Sequence, residues 1–382
     1  MIFVLIFLLS AVPVYAEPTA TEEFLSNNID SYGELLEKSF FDDEGFSSLF
    51  PGTSRKELLS QLVKGKLELS VSGMFSVFSR FFFHEVYLGA KAMLMIFLLA
   101  VLCSYLMGLK DNFGEQGATS AGFYACYLVI AGIAAASFYN IAGCVGETVE
   151  QIALFMKMIV PVVITALISC GAVVSASVFE PILLTVVEAS VGLIQTVLIP
   201  LVMVATALQI VNHLSDKLKI HKLVKFMNQC IKWSLSIMLT VFVSVAGMQS
   251  IASGGADALA VKLSKFATAN LIPVVGGILA ESVETIMNCS VLIKNAVGIF
   301  GILALGILAV FPLLKVGATV LLFRLTAAVC EPVSDPKIVH CLSEISNGVA
   351  ILFSILTAVT AMFIMALTIV IHAGNTVVML GR

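Results

Sequence analysis

From residue 86 onward, long apolar runs alternate with short polar breaks, and the runs predict membrane spans. About 20 apolar residues in a helix cross the ~30 Å hydrocarbon core of a bilayer. Residues 86–109 are apolar apart from Lys91, whose stem can snorkel to the nearer interface. Residues 118–142 are rich in Ala, Gly and Tyr, which suits close helix packing in lipid. Residues 152–178 contain Lys157 and Pro161. Residues 181–211 are too long for one straight crossing, and Pro200 predicts a break or a re-entrant element there. Runs 233–251, 271–293, 295–329 (with Pro312 and Lys315) and 349–372 follow. This pattern predicts about eight segments in an all-α polytopic bundle.

The runs contain an internal echo. Ile159-Val-Pro161-Val-Val163 matches Leu271-Ile-Pro273-Val-Val275, and Leu198-Ile-Pro200-Leu matches Val310-Phe-Pro312-Leu, both at an offset of 112. Lys222-Leu-Val then aligns with Lys337-Ile-Val at an offset of 115. The alternative is chance similarity between stretches drawn from a small apolar alphabet. The common 39-residue spacing of Pro161 to Pro200 and of Pro273 to Pro312 favours a repeat, with unit A at 152–255 and unit B at 268–372. The polar stretch in unit A, 213–232, carries Lys217, Lys219, Lys222, Lys225 and Lys232 against Asp216. Its counterpart, 330–348, carries Glu331, Asp335 and Glu344 against Lys337. Lysine-rich short loops stay in the cytoplasm. The contrast therefore predicts loops on opposite faces and an inverted-topology repeat.

Composition removes the soluble and disordered classes. Hydrophobic residues make up 59% of the 382-residue chain and charged residues 12%, against about 25% charged in an ordinary globular domain. The mean hydropathy of +1.04 agrees. Residues 17–85 hold 12 of the 25 acids and 6 of the 21 bases, a balance of −6. The remainder carries 13 acids and 15 bases, or +2, which together make the net −4. No patch is basic enough for nucleic acid.

Residues 1–16 read as a signal peptide, with an apolar core Ile2–Leu9 and a small-residue site ending Val14-Tyr15-Ala16. An uncleaved anchor is the alternative. Either way residues 17–85 form an acidic, helical, extracytoplasmic segment. In it, Ser54 to Glu57 fits a capping box ahead of Leu58, Leu59, Leu62 and Val63. The aromatic run Phe75, Phe78, Phe81, Phe82, Phe83 and Tyr87 reads as an interfacial anchor or as core against the first spans. Spans 86–109 and 118–142 occupy a first membrane unit, 86–151, and 373–382 is a tail. Counting 86–109, 118–142, 152–178 and 181–211 as four crossings would put the lysine loop outside, against its charge.

The chain carries no nucleotide-binding loop, nucleophile elbow or paired metal-ligand motif. The eight cysteines show no metal or redox spacing, and Cys330 and Cys341 flank one loop. No cofactor is expected. Ionisable groups in apolar runs are better leads, because charge in lipid is costly. Glu188 lies inside 181–211. Glu281, Glu284, Thr285 and Asn288 share one helical face, which Asn295 continues. That stripe faces a bundle interior or conduit, or it is the wet face of an interfacial helix. The lysine stretch forms an amphipathic helix on Leu223, Met227 and Ile231. It docks a cytoplasmic partner or anionic lipid, the latter at about 1 kcal/mol per lysine.

The whole chain resembles the stage III sporulation protein AE family. The resemblance rests on Asn270-Leu-Ile-Pro-Val-Val-Gly-Gly277, Cys289-Ser-Val-Leu-Ile-Lys-Asn-Ala-Val-Gly-Ile-Phe-Gly301, Phe311-Pro-Leu-Leu-Lys315, Leu325-Thr-Ala-Ala328 and His372-Ala-Gly-Asn375. It implies a component of a channel or secretion-like complex between mother cell and forespore, in the outer forespore membrane. The implied partners are other stage III sporulation membrane and intermembrane proteins, a secretion-type ATPase among them. It brings no catalytic residues. The competing expectation is a self-contained ion-coupled secondary transporter using Glu188 or Glu281. An intramembrane enzyme is a third class that no residue pattern favours.

Overall fold

A computed structural model describes residues 71–113, 116–214, 220–271 and 276–381. Residues 1–70, and with them the expected signal peptide and capping box, lie outside the described residues, as do Pro273, Lys217 and Lys219. Every described element is a helix, and the described residues contain no strand. These are α1 (Val71–Phe113), α2 (Gln116–Ser169), α3 (Val173–Leu193), a π turn (Ile194–Leu198), α4 (Ile199–Leu214), α5 (His221–Leu271), α6 (Gly276–Cys330) and α7 (Pro336–Gly381). Among the described residues, six stretches are long and apolar enough to cross a membrane: 78–105, 122–169, 173–212, 221–245, 285–330 and 336–372. The chain is thus an all-helical, multi-pass membrane protein.

The helices are longer and fewer than the apolar runs suggest. Runs 118–142 and 152–178 belong largely to one helix, α2, because Glu147, Glu150 and Gln151 lie on its exposed side and leave the backbone ladder intact. Runs 271–293 and 295–329 likewise merge, from Gly276 onward, in α6. Lipid cannot satisfy a free backbone group, so an apolar sequence extends its helix through polar positions that need not be buried. The prolines do not break the helices either. Pro161 and Pro312 sit inside α2 and α6. At Pro200 the ladder shifts beforehand: the Ile199 amide donates to the Ile194 carbonyl, five residues back. The π turn thereby absorbs the bond that a proline cannot make.

Short connections reverse the chain. Between α2 and α3, Gly171 takes φ +83°, and its amide donates to the Ile168 carbonyl at 2.9 Å. A side chain there would be strained and would also meet Met287 and Val261 within about 3 Å of its Cβ. Between α6 and α7, the Ser334 amide donates to the Cys330 carbonyl at 2.8 Å. Asp335 then caps α7 by accepting from the Lys337 amide at 2.8 Å, with Pro336 at the first helical position.

α7 is the buried centre. Ile345, Val349, Leu352, Ile355, Val359, Met362 and Phe363 are fully inaccessible along its length. Contacts fix the helix directions. Phe81 packs edge-on against Phe311 with ring centroids 4.8 Å apart, and Leu322 lies against Gly89, so α1 runs parallel to α6. Ser346 donates to the Val320 carbonyl and Lys294 to that of Ile371, so α6 and α7 are antiparallel. Gln209 donates to Glu344 and Ser190 to the Met362 sulfur, so α3–α4 also oppose α7. The α4–α5 connector and the α6–α7 turn therefore sit at the same end of the bundle. The sequence comparison predicts an inverted repeat with these loops on opposite faces, and the helix directions oppose it. Two helices, α5 and α6, separate the loops, and an even number restores direction. The element boundaries do follow the echo: α4 and α6 end at 214 and 330, while α5 and α7 start at 221 and 336.

Candidate functional site

The lower end of the bundle, where α4 and α6 end, is held by polar contacts. The Tyr127 hydroxyl donates to the Ile210 carbonyl at 3.0 Å, and Gln209 Nε2 to Glu344 Oε2 at 2.6 Å. α5 leaves this end with Val224 and Ile231 buried, Met227 half-buried and Leu223 exposed. The buried stripe is thus Val224, Met227 and Ile231, one position round from the predicted Leu223. Lys222, Lys225 and Lys232 are exposed on it.

A polar level crosses the middle. Gln195 of the π turn reaches the Gly146 carbonyl at 3.5 Å, and Thr148 donates to the Cys144 carbonyl at 2.7 Å. Glu85, Glu147 and Lys315, from α1, α2 and α6, all lie within electrostatic reach of Cys144. One level further up, Lys157 of α2 forms an ion pair with Glu188 of α3. The conduit reading of Glu188 predicts a buried carboxylate. Instead Glu188 is 69% exposed and Lys157 43%, so the pair sits on the outer face of the α2–α3 hairpin. Position 188 falls opposite the Val187 and Ser190 side of α3, which faces the core.

Sequence reasoning misses the buried charges at the upper end. Asp257 of α5 is 1% exposed, and its two carboxylate oxygens accept from the Val174 and Ser175 amides at 2.8 and 2.9 Å. A carboxylate there satisfies orphan donors of α3 and meets the positive end of its dipole. Lys294 is fully inaccessible and donates to the Ile371 carbonyl at 2.6 Å, tying α6 to α7. Burial pushes the nearby Cys170 thiol, in the α2–α3 turn, up to about 11, although Lys294 pulls the other way. Cys170 is therefore a protonated packing group. Lys294 is visible in the sequence as a charge in an apolar run. Asp257 follows Gly254-Gly-Ala and carries no such signal.

The α6 stripe is only partly defined. Thr285 is exposed and Asn288 half-buried, while the side chains of Glu281 and Glu284 lie outside the described set. The structure joins Glu188 to Lys157 on the neighbouring helix. Pro161 and Pro312 are half-buried within their helices, and Pro200 is exposed. Cys330 and Cys341 are both buried free thiols. Among the described residues, no three His, Cys, Asp or Glu side chains converge as a metal site.

The family described as stage III sporulation protein AE matches residues 53–374. Stage III sporulation protein AE of Bacillus subtilis (strain 168) is 29% identical over 365 residues, which covers 96% of this chain and 90% of that protein. No solved structure matches. The match spans α1 to the polar end of α7, and with it the chain belongs to the stage III sporulation protein AE family, a family of sporulation proteins.

Proposed function

We propose that this protein is a non-catalytic membrane component of the complex that links mother cell and forespore. The observation that carries the reading is the family match across nearly the whole six-span bundle. In this reading the bundle sits in the mother-cell-derived outer forespore membrane. The lysine-bearing connector and the start of α5 face the mother-cell cytoplasm, where exposed Lys222 and Lys225 offer a docking surface to a secretion-type ATPase. The segment before α1 faces the intermembrane space and the other stage III proteins. The bundle is a platform or conduit that others energise.

A self-contained carrier fits less well. Carriers hold coupling charges near the midplane, inside the repeat interface. Here the Lys157–Glu188 pair is on the outside, and the buried charges Asp257 and Lys294 each bond backbone groups of a neighbouring helix. Deleting the gene from its own host tests the role. The expected outcome is arrest after engulfment, with heat-resistant spores reduced by orders of magnitude and restored by the wild-type gene. Normal spore yield from the deletion strain would remove the reading.

A further inference from the structure

Lys91 is exposed within the apolar span of α1 and lines a groove between α1 and α6. The groove has a volume of about 750 Å³, a size that suits a small ligand. Its walls carry Tyr87, Leu94 and Phe97 of α1 with Leu325 and Val329 of α6. Thr326 also lines it, but its hydroxyl donates to the Leu322 carbonyl at 2.8 Å. Among the described residues, no carboxylate lines the groove, and Lys91 makes no hydrogen bond or ion pair. A cation thus stands against apolar walls without a counter-charge, which hydrocarbon does not supply.

Lys91 also ends a polar stripe. Arg80, His84, Tyr87 and Lys91 recur at i, i+4, i+7 and i+11 of α1, within about 60° of one another round the helix. All four are exposed. Glu85 falls about 140° round from Arg80, and it is half-buried. Along the same face Leu94 and Leu98 follow, both exposed. The face therefore changes from basic to aliphatic as it passes the groove, with exposed Phe83 at the basic end. Aromatic side chains of this kind settle at the level of lipid headgroups. From Tyr87 to Phe97 the helix rises about 15 Å, half of the ~30 Å hydrocarbon core and so the depth of one leaflet.

We propose that the α1–α6 groove holds one anionic phospholipid of the leaflet nearest the start of α1. Its phosphate meets Lys91 and the Tyr87 hydroxyl, and an acyl chain lies along Leu94, Phe97, Leu325 and Val329. Arg80 and His84 keep the field positive above the phosphate. The order of the face, cations and then aliphatic wall, is the order of the lipid itself. A zwitterionic headgroup fits less well, because the stripe offers no acid to its ammonium. The proposal stands on side-chain placement in α1 and α6 and uses no sporulation partner.

The experiment uses the full chain in detergent with equal amounts of dioleoyl phosphatidylglycerol and dioleoyl phosphatidylcholine, read by native mass spectrometry. Wild-type protein is expected to retain one phosphatidylglycerol in preference to phosphatidylcholine. Lys91→Ala and Arg80→Ala should each lower its retention about fivefold and leave phosphatidylcholine unchanged. Lys91→Arg should keep the preference, and Lys262→Ala, at an exposed lysine on α5, should not alter it. Leu325→Trp fills the groove and should weaken retention of both lipids. Millimolar glycerol phosphate, which has the phosphate without the tails, should not displace the lipid. Equal retention of the two lipids by the wild type overturns the proposal. So does a loss on Lys262→Ala as large as on Lys91→Ala, an inert Leu325→Trp, or displacement by glycerol phosphate. These readouts need no spore assay, so their failure leaves the sporulation role standing, and a dispensable gene leaves the lipid site standing.

Discussion

Asp257 shows how much one side chain holds at the upper end. It lies far along α5, yet it satisfies the first amides of α3, a helix more than 80 residues away in sequence. Removing it leaves the Val174 and Ser175 amides, both in the first turn of α3, without their acceptor. An unmet buried donor costs about 1–3 kcal/mol, and a lost cap about 1 kcal/mol. Asp257→Ala is therefore expected to destabilise the bundle by about 2 kcal/mol or more. Asp257→Asn, which keeps one acceptor, should lose about half as much. Thermal unfolding in detergent, followed by circular dichroism, measures both. Equal melting of Asp257→Ala and wild type would show that the cap holds nothing. The close helix contacts at Gly298 and Gly348 follow the same logic of local fit. A Cβ at Gly348 would come within 2.4 Å of the Thr206 hydroxyl, so α7 and α4 touch where glycine allows it.

At the scale of elements, the π turn has the most consequence. A π turn accommodates one residue beyond the α-helical count while the helices on either side keep their faces. α3 before it buries Phe179, Leu183 and Val187, and α4 after it buries Val202, Ala205 and Thr206. Deleting the exposed Thr196 from the turn should return the segment to an ordinary helix with both faces preserved. Deleting the exposed Val204 from α4 should turn everything beyond it by about 100° and separate Gln209 from Glu344. The first variant is expected to express and melt close to wild type, and the second to aggregate or lose several degrees. Melting curves and size-exclusion profiles decide; two equally damaged variants would mean the turn absorbs nothing. The same turn marks a limit of sequence reading. The overlong run and Pro200 are plain in residues 181–211, and they point to an irregularity. Whether it breaks, re-enters or bulges depends on packing against α2 and α7. In the same way, the apolar runs reveal helices but not their fusion, because an exposed Glu147 or Glu150 costs a long helix little.

At the scale of the whole molecule, the helix count bears on two sequence-based expectations that conflict when the apolar runs are counted one by one. An extracytoplasmic segment before α1 and a cytoplasmic lysine loop require an odd number of crossings between them. Read as runs, the sequence has four; as folded, it has three, because α2 is a single helix and α3–α4 another. Three is the odd number that the two expectations together require. The cost is the inverted repeat, since α5 and α6 return the chain to the same end before the α6–α7 turn. The segments matched at offsets 112 and 115 therefore run in the same direction along the bundle. The acids of the second loop do not oppose this, because acidic residues contribute little to orientation. Epitope tags placed in 215–219, 272–275 and 331–335 test the arrangement in intact and permeabilised cells. The first and third are expected to be shielded until permeabilisation, and the second to be reachable from outside. Opposite accessibility of 215–219 and 331–335 would reinstate the inverted repeat, and it would require one of the long helices between them to turn back within the membrane.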